Sequence, residues 1–161
     1  MTLRILIIFN WIAGALLLAL LFVSFQQAAW LWQGLGVVSI AERPGGEAGM
    51  RAIVGAGIIS VPIAAVVLRA LARIVKTVRA RDPFTRVNAA RIQTIAWALL
   101  ALQLIHVAVA AIAASIATGD APLKLGGAGT ITGWLAVVLL FVLAGVFREG
   151  AAMRDDLEGT V

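Results

Sequence analysis

Cysteine is absent from the chain, which removes disulfides, thiolate nucleophiles and thiolate metal sites together. Histidine occurs once, too few to supply a metal shell or to complete a nucleophile, base and orienter set. Acidic residues number eight, and none lies in 5–41, 52–68, 92–119 or 125–148. Proton-coupled export of cations, which needs an embedded carboxylate, is therefore disfavoured. No glycine cluster has phosphate-loop or dinucleotide spacing: Gly126, Gly127 and Gly129 match neither pattern. These absences argue against an enzyme and leave no cofactor or metal to be expected.

Apolar length is what the chain has in abundance. Of 161 residues, 62% are hydrophobic and 13% charged, against about 25% charged in an average protein. A mean hydropathy of +1.03 requires lipid as the solvent. Spans of about 20 residues with short connections fit four times into this length and leave no room for a soluble catalytic domain. The first span is Ile5 to Phe25, longer than the roughly 7–15 apolar residues of a secretory leader. Trp30 and Trp32 follow it, where indoles favour the headgroup level, and Pro44-Gly45-Gly46 marks a turn. Ala52 to Leu68 is uncharged and bounded by Arg51 and Arg69, whose side chains are expected to snorkel outward. Pro62 inside it is expected to kink the helix or free a carbonyl.

Past Leu68, Leu71, Val75 and Val78 continue one apolar face while Arg69, Arg73 and Lys76 occupy another, so the second helix should extend to about residue 80. Asp82-Pro83-Phe84-Thr85 stops it and starts the next, with Asp82 or Thr85 as N-cap. The third span covers about 92–117 and the fourth about 131–147. The sequence thus predicts one all-α domain over 1–161, an antiparallel bundle of four transmembrane helices.

Charge sets the orientation. Arg4, seven basic residues between Arg69 and Arg91, Arg148 and Arg154 fall on one side; Arg43, Arg51 and Lys124 fall on the other. The positive-inside rule then puts both termini in the cytoplasm. The basic block beside a span reads as retention signal and anionic-lipid contact rather than a nucleic-acid surface. Its candidate binding residues are Arg69, Arg73, Lys76, Arg79, Arg81, Asp82, Phe84 and Arg91, joined by Arg148, Glu149, Asp155 and Asp156 of the C-terminal segment. Three readings stay open: lipid anchoring, pairing with the acidic tail residues, and docking of an acidic protein partner.

Within the spans, Ala52, Ala56, Ser60 and Ala64 recur every four residues, and Gly129 and Gly133 repeat the pattern, as in close helix packing or a homo-oligomer interface. Asn10, Gln103 and His106 are the intramembrane polar candidates. They serve either as interhelical hydrogen-bonding groups or as the polar contacts of a homo-oligomeric channel or facilitator for a small solute.

Two stretches carry a resemblance. Asp82-Pro83-Phe84-Thr85 with Asn88, Arg91, Ile95 and Trp97, and Val142-Leu143-Ala144 through Phe147-Arg148-Glu149-Gly150 to Asp155-Asp156-Leu157-Glu158-Gly159-Thr160-Val161, resemble a bacterial family of four-span inner-membrane proteins known only as a domain of unknown function. Its members are often encoded beside a helix-turn-helix regulator. The resemblance implies a multi-pass inner-membrane protein that holds or modulates such a transcription factor, and it implies no catalytic residue.

The topology is directly measurable, since no native thiol competes. Cysteine placed at Gly126 should react with an impermeant thiol reagent in intact spheroplasts, and cysteine placed at Gly159 only after lysis. The reverse pattern inverts the orientation.

Overall fold

A computed structural model of the chain describes residues 2–79, 85–117 and 131–158, without the side chains of Thr2, Arg79 and 155–158. Asp82-Pro83-Phe84 and Gly126-Gly127-Ala128-Gly129 lie outside the described residues. Among the described residues six helices follow in order: α1 (Thr2–Gln26), α2 (Ala28–Gly34), α3 (Val38–Ala41), α4 (Gly46–Arg79), α5 (Arg86–Ile116) and α6 (Ile131–Glu158). Four of them, α1, α4, α5 and α6, are long and apolar enough to cross a membrane. The protein is an all-helical, multi-pass membrane protein. Helices are the expected solution, because backbone groups in hydrocarbon can be satisfied only within the segment.

The helices group into two compact units, one of residues 1–7, 63–102 and 130–161 and one of residues 8–62 and 103–129. The first holds ten of the thirteen basic residues and is called here the basic unit; the second is the loop-bearing unit.

In the loop-bearing unit, α1 runs antiparallel to the first part of α4. Asn10 meets Val61, Leu17 meets Gly57, and Ser24 meets Arg51. Close approach depends on glycine: a Cβ on Gly14 would lie 2.9 Å from one Val61 methyl and 3.2 Å from the other. Gly49 admits Ile116 of α5 in the same way, at 2.8 Å from a hypothetical Cβ. The small residues that count are therefore these glycines, and Ala52, first of the four-residue stripe, is exposed.

The connection expected to be a turn contains two short helices. α2 ends in a Schellman arrangement, with Gly36 at φ +69° and the Gly36 and Val37 amides donating to Gln33 and Trp32 carbonyls. Arg43-Pro44-Gly45-Gly46 forms a turn in which the Gly46 amide donates to the Arg43 carbonyl and Gly45 has φ +81°, the positive value that a type II turn requires after proline. Between them Leu31, Trp32, Ile40, Met50 and Ile116 form a buried cluster. Trp32 is only 3% exposed while Trp30 is 68% exposed: positions two apart on a helix do not share a face, so one indole enters the core and the other faces out.

In the basic unit, α4 and α5 are antiparallel, with Thr77 against Asn88 near the connection. α6 joins α5 through an edge-to-face contact of Phe141 with Trp97, centroids 5.0 Å apart. α6 does not stop at Phe147; it runs on to Glu158. Ala151, 1% exposed, explains why, since a buried small residue lets this polar extension pack.

Gly14 supplies the stability test. Val61 is β-branched and stiff, so Gly14→Ala should lower thermal stability in detergent by ~1–3 kcal/mol through overpacking. Gly55→Ala, with nothing within 4 Å of the added carbon, should not. Adding Val61→Ala should restore most of the loss. Equal effects of the two glycine changes would refute the close approach.

Candidate functional site

Among the described residues of the basic unit one polar side chain is fully buried, and the site is built outward from it. Asn88 is 0% exposed. Its Nδ2 donates to Thr77 Oγ1 at 2.7 Å, the Thr77 hydroxyl donates to the Ile74 carbonyl at 2.7 Å, and Arg91 Nη1 donates to Asn88 Oδ1 at 2.9 Å. The Asn88 amide N–H in turn meets Thr85 Oγ1 at 3.2 Å and the Thr85 carbonyl at 3.0 Å. Of the two expected N-caps, Thr85 caps α5, and Asp82 lies outside the described residues. A buried carboxamide costs free energy unless its bonds are made, so this network locks α4 to α5 in one register.

Around it sit two grooves. Val66, Arg69, Ala70 and Arg73 of α4 with Arg91 and Thr94 of α5 line one of about 260 Å³. Arg86, Ala89, Ala90 and Gln93 of α5 with Ala144, Arg148 and Ala152 of α6 line another of about 370 Å³. Of the binding residues expected from sequence, Arg69, Arg73, Lys76, Arg148 and Glu149 are exposed and Arg91 is half-buried. Arg79, Asp155 and Asp156 lie on helices without described side chains, and Arg81, Asp82 and Phe84 lie outside the described residues. Thr77 was not singled out by its sequence context; its signal was a lone hydroxyl between Lys76 and Val78 on an otherwise basic and apolar extension.

The intramembrane candidates separate. Asn10 Nδ2 donates to the Val61 carbonyl at 3.0 Å, next to Pro62, whose missing N–H weakens the ladder of α4 at this turn. Gln103 is 7% exposed, and its buried Nε2 has no partner among the described residues. His106 is exposed, on a span surface rather than in a helix interface. Among the described residues, no group of three His, Asp or Glu is arranged to hold a metal.

In the loop-bearing unit Arg51 does not simply snorkel. Its Nη2 donates to the Ser24 carbonyl at 2.8 Å and to Glu47 Oε2 at 3.1 Å, and its guanidinium lies 4.5 Å from the Phe25 ring centroid. Arg43 Nη1 donates to the Ala117 carbonyl at 3.2 Å. Both cations close the C-terminal ends of helices, α1 and α5, where carbonyls are unpaired and the dipole is negative.

The family described as "Protein of unknown function (DUF2975)" matches residues 10–161, and the chain belongs to it. No curated protein and no solved structure matches the chain.

Two substitutions separate the buried network from ordinary capping. Asn88→Leu strands the partners of a buried amide and should cost ~1–3 kcal/mol; Thr85→Ala removes one cap and should cost ~1 kcal/mol. Thermal unfolding in detergent, followed by circular dichroism, should rank Asn88→Leu as the more damaging, and the opposite order would show that the network does not hold the hairpin.

Proposed function

We propose that this DUF2975 protein is a small regulatory or scaffolding protein of the bacterial inner membrane, with both termini in the cytoplasm, that docks an acidic-surfaced cytoplasmic partner. The partner class that fits is a helix-turn-helix transcription factor, held or modulated at the membrane. One observation carries the reading. Beyond their uncharged runs, α4 and α6 each continue for about three turns, and these extensions expose Val75, Val78 and Met153 among exposed Arg73, Lys76 and Arg148. Apolar side chains left uncovered beside cations, beyond the reach of the hydrocarbon, suit a protein surface of opposite charge better than water. The resemblance to proteins encoded beside such regulators supports the choice of partner.

Co-purification from detergent tests the reading. The wild-type chain should retain a helix-turn-helix regulator of the kind encoded beside the proteins it resembles, and Lys76→Glu with Arg148→Glu should lose most of it. Equal recovery by both, or recovery by neither, defeats the proposal.

A further inference from the structure

The carboxamides of Asn10 and Asn88 are bonded across helices, whereas Gln103, only 7% exposed, keeps a buried Nε2 that has no partner among the described residues. A donor withdrawn from water and left unpaired is costly, the more so in hydrocarbon, where no solvent molecule replaces the lost bond. His106 follows Gln103 by about one turn and Ala113 follows His106 by about two, so the three share one side of α5. All three belong to the loop-bearing unit. Gln103 and Ala113 are buried, yet His106 between them is exposed. The packed side of this helix therefore has an opening at His106, with an imidazole and a carboxamide as neighbours at its rim.

Depth and chemistry select what enters. The uncharged run of α5 begins at Ile92 and the helix ends at Ile116. Gln103 and His106 each stand about 15 Å of helix rise from the nearer of these, near the middle of a hydrocarbon core about 30 Å thick. Ions, headgroups and the ester carbonyls of phospholipids stay at the interface. What dissolves at this depth is uncharged and apolar, and what Gln103 lacks is an acceptor. A half-turn of its terminal torsion exchanges Oε1 and Nε2, so the carboxamide can present its N–H donors to the opening without movement of the helix, and a neutral imidazole offers one more. We propose that Gln103 and His106 bind a membrane-soluble quinone, whose flat apolar ring suits the hydrocarbon and whose carbonyl oxygens accept from the two side chains. This goes beyond the docking reading and is independent of it.

The test is ligand-induced thermal stabilisation of the full chain in neutral detergent, read as the change in Tm on adding decylubiquinone or decylbenzene, which has the alkyl chain and no carbonyl. Decylubiquinone should raise Tm and decylbenzene should not. Gln103→Leu and His106→Leu should each raise the quinone concentration for half-maximal shift by about fivefold, the equivalent of one neutral hydrogen bond. Ser115→Ala should leave it unchanged, since that exposed hydroxyl already bonds the Ile112 carbonyl. Infrared difference spectra supply a readout that a purely structural role would not move: the carbonyl stretch of the bound probe should lie at lower wavenumber on wild type and move part of the way back in each variant. Because His106 is exposed, its variant folds independently of any packing lost at Gln103. Equal shifts with both probes, or unchanged half-maximal concentrations and carbonyl stretch in both variants, overturn the site. A wild-type dimer in cross-linking that His106→Leu abolishes gives the opening to a second copy of the chain and overturns the quinone as its occupant.

Discussion

Lipid removes the usual reason for apolar helices to stick together. Hydrocarbon solvates a leucine as well as another leucine does, so association rests on close backbone approach and on the few polar bonds available. The loop-bearing unit uses both at one spot. Gly14 lets α1 reach Val61 of α4, and Asn10, one turn earlier, donates to the carbonyl of the same residue. Most of the surface of α1 stays apolar and exposed, including Phe9, Leu16, Phe22 and Phe25, which in this solvent is the stable arrangement.

Arginine serves two ends in this chain. Arg43 and Arg51 bond carbonyls at the finish of helices, where their charge completes the fold. Arg69, Arg73 and Arg91 line a groove on the flanks of α4 and α5. In the sequence these five residues are indistinguishable, because both uses place a cation next to an apolar run.

The spans themselves were legible because a bilayer demands length and lack of charge, and both are properties of residues in order. The sequence also pointed to the restart before α5 and to the helical extension of α4, whose apolar face repeats through Leu71, Val75 and Val78. The ends of α4 and α6 were harder. α4 starts at Gly46 and α6 continues to Glu158, because tertiary contacts such as the burial of Ala151 sustain a helix where composition gives no sign. The burial of Trp32 was not legible either: it depends on Ile40, Met50 and Ile116 arriving from three other helices. Nor was the pairing of Thr77 with Asn88, since partners eleven residues apart across a connection leave no periodic signal. The resemblance did include Asn88 and Arg91, and the structure supplies their physical link.

Asn88 also sets a rotational phase. Each residue turns an α-helix by about 100°, and a buried amide with fixed partners on α4 tolerates one azimuth only. Arg91 follows by three residues and so returns to nearly the same side, which is how one carboxamide aims a guanidinium. A single residue inserted between Asn88 and Arg91 would keep every charge and almost all of the hydropathy, yet it would swing the guanidinium about a quarter-turn around α5 and dismantle the groove. Composition-preserving insertions, harmless to membrane integration, are thus the changes to which this part of the molecule is least tolerant.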